Sequence, residues 1–142
     1  MNKQKVMVGM SGGIDSSVTA YILQKDGYEV EGVYLKLHNR TDGYHESNLN
    51  YIDGVAKFLG IKYHILDLSK KFKKDVYDYF VNSYIDGNTP NPCVKCNKNI
   101  KFGAMLDFAK EQGASFLATG HYVKTDGKFF YEADDKTKDQ SY

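Results

Sequence analysis

The chain has almost no net charge, no long apolar run and only two cysteines, and each shortage excludes something. Lys and Arg number 19 against 18 Asp and Glu, a formal charge of +1, so no global electrostatic signature of nucleic-acid binding exists. The block Lys70, Lys71, Lys73 and Lys74 is a local exception, and most such blocks are solvated helix faces. Nowhere does the sequence approach the roughly 18 consecutive apolar residues of a membrane span. The start Met1-Asn2-Lys3-Gln4-Lys5 is polar where a signal peptide would carry an apolar core. A cytoplasmic protein is expected. Cys93 and Cys96 would close too small a loop for a disulfide to constrain the unfolded chain. The histidines His38, His45, His64 and His121 show no paired spacing that would complete a zinc site. Internal repeats and low-complexity segments are also missing. What is present is 142 residues with 42% hydrophobic content, enough for one core that buries roughly two-thirds of the unfolded surface.

The densest chemical signal lies in residues 5–17, Lys5-Val6-Met7-Val8-Gly9-Met10-Ser11-Gly12-Gly13-Ile14-Asp15-Ser16-Ser17. A short apolar strand runs into a Ser-Gly-Gly-x-Asp-Ser turn and then a helix. Glycine lets a ligand approach the backbone closely, and the free N–H groups and dipole of a helix start favour an anion. The Walker pattern needs a Lys before the final Ser or Thr, and the dinucleotide fingerprint needs Gly-x-Gly-x-x-Gly; neither fits Gly9, Gly12 and Gly13. The stretch resembles the PP-loop of the ATP pyrophosphatases, which implies that it cradles pyrophosphate. Without a ligand it would be a small-residue turn between strand and helix.

Strand and helix signals alternate beyond this turn. The first helix carries Val18, Ile22 and Leu23 on its inner side and ends near Gly27; Glu29 to Leu37 reads as a second strand. Residues 38–48 are polar and read as a loop, followed by a helical stripe of Leu49, Ile52, Ala56 and Leu59 closed by Gly60. Ile61 to Leu68 is a third strand. A helix from about Lys70 to Ile85 places Phe72, Val76, Tyr79, Phe80 and Tyr84 at helical spacing, as core. Phe102, Met105, Leu106 and Ala109 mark the inner side of another helix, and Ser115 to Gly120 a fourth strand. Such alternation predicts an α/β fold, a doubly wound parallel sheet with helices on both faces. Its ligand should lie beyond the carboxyl ends of the strands, where Met10, Leu37 and Gly120 point. From His121 the pattern changes to a hairpin, Tyr122-Val123-Lys124 against Phe129-Phe130-Tyr131 around an Asp-Gly turn.

Cys93 and Cys96 form a Cys-x-x-Cys pair just ahead of a helix. The helix dipole and the neighbours Lys95 and Lys98 should lower a thiol pKa there and enrich the thiolate. Two inert buried thiols are the plain alternative.

Ser11-Gly12-Gly13-Ile14-Asp15-Ser16-Ser17, Thr89-Pro90-Asn91-Pro92 with Cys96-Asn97 and Ile100-Lys101-Phe102, Ala118-Thr119-Gly120-His121-Tyr122, and Lys138-Asp139-Gln140-Ser141-Tyr142 occur in one order. Together they resemble the MnmA-type tRNA 2-thiouridylase family across nearly the whole chain. The resemblance implies that ATP adenylates the C2 oxygen of a tRNA wobble uridine and that a persulfide sulfur displaces AMP. By it, Gly9, Met10, Ser11, Gly12, Gly13, Ile14, Asp15 and Ser16 hold the ATP phosphates, Leu35 meets the adenine through its backbone, and Gly120 closes the nucleotide site. Asn91, Pro92 and Cys93 match the segment that meets the target base. Cys96 matches the nucleophile, and Lys138, Asp139 and Gln140 match a stretch that touches tRNA. Magnesium is expected with the phosphates, and a persulfide sulfur donor protein as partner.

Many members carry Asp where this chain has Cys93. Cys93 then either shares in sulfur handling or joins Cys96 and a third cysteine around an iron-sulfur cluster, as in related tRNA thiolases. The family's persulfide-carrying cysteine has no counterpart here, so the chain reads as an N-terminal fragment. Residues 1–120 would be the PP-loop nucleotide-binding domain and residues 121–142 a hairpin and the truncated start of the following region. Two other readings stand beside this one: a different adenylating PP-loop ligase, and a non-catalytic metal or redox module built on the Cys-x-x-Cys pair.

Overall fold

The computed structural model describes residues 3–142; Met1 and Asn2 of the polar start lie outside them. Strands β1 (Lys5–Gly9), β2 (Glu29–Lys36), β3 (Lys62–Asp67) and β4 (Phe116–Ala118) form one parallel sheet in the order β3-β2-β1-β4. Helix α1 (Ile14–Lys25) links β1 to β2, and α2 (Tyr44–Leu59) links β2 to β3. The return to β4 runs through α3 (Ser69–Phe72), a π-helical turn Lys73–Tyr77, α4 (Asp78–Ile85), α5 (Pro92–Cys96), a π-helical segment Asn97–Ala104 and α6 (Met105–Glu111). A separate hairpin joins β5 (Lys124–Thr125) to β6 (Phe130–Tyr131).

The pleat sends alternate residues of each strand to opposite faces, and both faces are apolar. Val6, Val8, Val30 and Tyr34 pack with Ala20 of α1 and Ile52 of α2, while Met7 and Val33 pack with Met105 and Ala109 of α6. This is the doubly wound sheet expected from the alternation. The chain winds outward from β1 to β3 and then crosses back to set β4 on the other side of β1. Where the order reverses, a crevice opens at the carboxyl ends of β1 and β4.

Several local expectations are corrected. The inner side of α1 is Ser16, Ala20 and Leu23; Val18 and Ile22 are 46% and 51% exposed. Small residues let this helix sit close to the sheet, so bulk was the wrong guide to its inner face. Helix α2 starts at Tyr44, inside the expected loop, because Gly43 takes a left-handed conformation and the Asp42 carboxylate accepts from the Tyr44 N–H. Its first turn faces the crevice, not the core, and so lacks an apolar stripe. In the 69–85 helical run Val76 is buried, but Phe80 and Tyr84 are exposed and pack edge-on against each other. Phe102, expected on an inner side, is 50% exposed. Lys71 and Lys73 of the basic block pair with Asp75 and Asp78, as on a solvated helix face.

The 115–120 strand is shorter than expected, because Thr119 and Gly120 leave the sheet for the start of α1. A methyl added at Gly120 would lie 3.0 Å from the Ser16 nitrogen. The hairpin's paired residues are likewise fewer than expected, with Asp126 accepting from the N–H groups of Lys128 and Phe129 to shape its turn. Among the described residues no helix is long and apolar enough to cross a membrane.

One buried charge ties three strands together. Glu31 of β2 accepts from Lys5 Nζ of β1 at 2.9 Å and meets His64 Nε2 of β3 at 2.8 Å. Burial alone would raise its pKa, yet the bonds to His64 and Lys5 outweigh burial and hold it below the ordinary glutamate value. A depressed carboxyl stabilises the fold above its unfolded pKa, and that contribution is lost as pH falls through the folded value. Glu31→Gln should therefore lower stability by about 1–2 kcal/mol at neutral pH. The deficit should close in chemical denaturation series taken below pH 4.5, the ordinary value for this group.

Candidate nucleotide and thiol site

The crevice at the carboxyl edge is a cleft of about 360 Å³. Gly9, Met10, Ser11, Asp15 and Ser16 form one part of its wall, Leu35 and Leu37 a second, and Thr119, Gly120 and His121 a third. Of the ten residues expected at the nucleotide, seven line this cleft. Gly12, Gly13 and Ile14 instead border a neighbouring groove with Val18, Tyr21, Tyr51 and Phe58. The turn after β1 is suited to an anion. Met10 N–H, just past the end of β1, still bonds Val33 O at 2.8 Å, and Gly13 is the N-cap of α1, which leaves the first N–H groups of the helix without a side-chain cap. Gly12 has φ +86°, and a methyl there would lie 3.2 Å from the Asn48 carbonyl oxygen. Only glycine allows that approach without strain.

The opposite wall holds a hydrogen-bond chain that the sequence spacing did not reveal. Asn48 Nδ2 donates to the Tyr34 hydroxyl, which lies 2.7 Å from His45 Nδ1, and His45 Nε2 lies 2.7 Å from the His38 carbonyl oxygen. Donors and acceptors agree if Tyr34 donates to His45 and His45 is protonated on Nε2. The His38 and His45 rings lie 4.5 Å apart. Burial, then the neighbouring His45 and Arg40, lower the His38 pKa, which favours the neutral ring.

Across the cleft, Lys101 is the lining cation. Beside it His121 Nδ1 lies 2.6 Å from Thr119 Oγ1, while His121 Nε2 is buried with no partner. Burial and then Lys101 lower the His121 pKa, so its ring is neutral at pH 7.

Both cysteines are free and sit inside a helix, not ahead of one. Pro92 opens α5, and the Asn91 carboxamide oxygen caps it by accepting from the Val94 N–H. Cys93 is exposed and Cys96 half-buried. The expected thiolate enrichment at Cys96 does not occur. Burial raises its pKa, and the opposing charge of Lys101 does not cancel that. The nearby Lys95 ammonium is spent over the Tyr79 ring, 4.8 Å away. Neither cysteine lines the cleft; Lys101 bridges the two regions.

The last residues fold over the same edge. Asp139 accepts from the Ala133 N–H and the Ser141 hydroxyl, which shapes the turn. Gln140 lines the cleft and pairs twice with Tyr122. The Lys138 ammonium lies 5.4 Å from the Tyr122 ring. Burial first, and then the neighbouring Cys93, raise the Tyr142 pKa.

Cys93 and Cys96 are the two thiols these residues offer to an iron-sulfur cluster. Among the described residues no group of three or more His, Cys, Asp or Glu is placed to hold a metal ion, so any further cluster ligand would come from outside them.

Comparisons with known proteins agree with this architecture. The chain is 82% identical over its full length to tRNA-specific 2-thiouridylase MnmA 1 of Aliarcobacter butzleri and 58% identical over 98% of its length to tRNA-specific 2-thiouridylase MnmA of Sulfurimonas denitrificans. It covers 41% and 40% of those proteins, so it spans about two-fifths of the length of the relatives it matches. Among solved structures it is similar to the U34-tRNA thiolase NcsA from Methanococcus maripaludis with its [4Fe-4S] cluster. That match has a TM-score of 0.59 and 27% identity, and covers 84% of this chain and 38% of the other. A family model described as the tRNA methyl transferase HUP domain matches residues 4–142, and the chain belongs to that family.

Proposed function

We propose that this chain is the ATP-binding and uridine-activating part of a tRNA 2-thiouridylase acting in the cytoplasm. Residues 1–120 form its nucleotide domain, and residues 121–142 lead toward the RNA-binding region. The observation that carries the proposal is one edge of the sheet holding both an uncapped helix start behind a glycine turn and, across Lys101, a helix with two free thiols. The family model's description speaks of methyl transfer, but a methyl transferase has no need of paired thiols beside a phosphate cradle.

The N–H groups of the turn and α1 bind the triphosphate, with Lys101 balancing its charge. Leu35 and Leu37 flank the adenine. The wobble uridine, held by Asn91, Pro92 and Cys93, attacks the α-phosphorus through its C2 oxygen, and pyrophosphate leaves. Magnesium, when bound, adds charge neutralisation on the phosphates. The terminal sulfur of a persulfide, carried by a donor thiol outside these 142 residues, then attacks C2. The Cys96 thiolate attacks the donor's inner sulfur, forming a disulfide with the donor and leaving the outer sulfur on C2. Loss of AMP restores the ring as 2-thiouridine. ATP is needed because oxide is a poor leaving group and adenylate a good one.

The 142-residue chain should bind ATP in calorimetry yet form no 2-thiouridine from tRNA and a persulfide donor, since it lacks both the sulfur carrier and most of a tRNA surface. Absence of ATP binding would overturn the nucleotide assignment; thiolation by this chain alone would overturn the division of labour.

A further inference from the structure

Tyr122 touches two separate pieces of the carboxyl edge at once, the glycine turn and the Lys138–Gln140 segment. Its hydroxyl donates to Asp15 Oδ1 at 2.8 Å, reaching the glycine turn from a position 107 residues away. Its backbone accepts from the Gln140 N–H at 2.9 Å and donates to Gln140 Oε1 at 3.2 Å. Its ring lies under the Lys138 ammonium. Gln140 lines the cleft, and Asp139 between the two holds the local turn with both carboxylate oxygens.

The glycine turn has little else to fix it from outside. Its own side-chain bonds are local: Gly13 N–H to Ser11 Oγ, Ser11 N–H to Ser16 Oγ, and the Ser17 hydroxyl to Gly13 O. Among the described residues, the Tyr122 hydroxyl is the side chain from another element that holds the Asp15 carboxylate.

We infer that Tyr122 is a positioning residue that couples the nucleotide turn to the Lys138–Gln140 segment, so that occupation of the turn by ATP sets the segment offered to RNA. The inference rests on the ATP reading of the cleft. Its physical basis is simple. Tyr122 is half-buried, and its side-chain bond to Asp15 is separable from the pairing of its backbone with Gln140. Removing the hydroxyl therefore cuts the link while leaving the ring, the backbone ladder and the sheet core intact. By linkage, RNA bound at the segment must favour ATP by the same factor that ATP favours the RNA-ready segment.

The test is amide hydrogen exchange on the 142-residue chain, with and without saturating ATP and magnesium, read at the Gln140 N–H. In the wild-type chain ATP should slow that amide roughly five-fold or more. In Tyr122→Phe the chain should still bind ATP by calorimetry, keep its β1 amides protected, and show less than about two-fold change at Gln140. A merely structural tyrosine would alter protection equally with and without ATP. Equal ATP-dependent protection in both proteins would overturn the coupling, as would no ATP dependence at Gln140 in a wild-type chain that binds ATP. Loss of ATP binding in Tyr122→Phe would make the hydroxyl part of the nucleotide site itself and overturn it too. A wild-type chain that binds no ATP would remove the underlying reading of the cleft, and the coupling with it.

Discussion

Cys96→Ser in the intact enzyme should abolish thiolation, a loss on the order of a thousand-fold or more, while ATP affinity should stay unchanged. Serine is scarcely ionised near neutral pH and cannot form the disulfide that releases the sulfur. Position separates the two effects, because Cys96 lies on α5 outside the cleft that would hold ATP. The structure adds a pH dependence opposite to the sequence expectation. Burial keeps Cys96 protonated above its ordinary pKa, so a rate that depends on its thiolate should climb as pH rises from 7 toward 9, the ordinary value for this group. Lys101→Gln removes the cation that opposes burial and should shift that rise to higher pH. Single-turnover thiolation against pH measures both; a flat profile, or an active Cys96→Ser enzyme, would overturn the assignment. Cys93→Asp in the same assay, with the absorbance of a reconstituted cluster read beside it, separates the roles open to that residue. Retained activity would mean that a carboxylate can serve in place of Cys93, lost activity alone would tie its sulfur to the transfer, and loss of both activity and cluster absorbance would make it a cluster ligand.

Gly13→Ala should cut ATP affinity roughly ten-fold or more with little change in stability. The structure picks this position over Gly12. Gly12 sits at φ +86° with the Asn48 backbone 3.2 Å from an added methyl, so any side chain there strains the fold itself. Loss of binding in Gly12→Val would then report misfolding as much as a blocked phosphate. Gly13 has φ −86°, and an added methyl meets only the Ser11 hydroxyl, 3.4 Å away. The fold can accept it, while a triphosphate held by the N–H groups at the start of α1 should meet it. Calorimetry with ATP and magnesium, paired with thermal unfolding, reads the two effects apart. Unchanged affinity in a folded Gly13→Ala chain would move the phosphates away from the helix start.

Much of the architecture was legible because its signals are local. Alternating apolar runs marked all four sheet strands, and Gly27 and Gly60 closed helices where they were expected to. The misplaced pieces share one cause. The first turn of α2, the inner face of α1 and the aromatic face of α4 are decided by what lies across from them. A polar turn that faces a cleft looks like a loop, and a helix packed through Ser16 and Ala20 hides its inner face among small residues. The cleft was legible only in part. Its glycine turn is a backbone requirement written into consecutive residues, whereas Tyr34, His45, Asn48 and Lys101 line it from three other segments and Tyr122 bonds Asp15 on its wall. The thiol pKa failed for the same reason, since helix dipole and neighbouring lysines are sequence features and burial is not.

By itself the sequence determined the parallel α/β class, the strand-turn-helix at residues 5–17, the Cys-x-x-Cys pair and membership of the family, because each follows from short-range periodicity, backbone tolerance or ordered motifs. Tertiary structure alone decided that β4 lies beside β1, that Glu31 draws Lys5 and His64 together, that Cys96 is buried enough to resist ionisation, and that Tyr122 meets Asp15. Those facts depend on strand order and on which helix covers which face. Contacts between residues far apart in the chain are set by the summed packing of the whole sheet, and no local stretch encodes them.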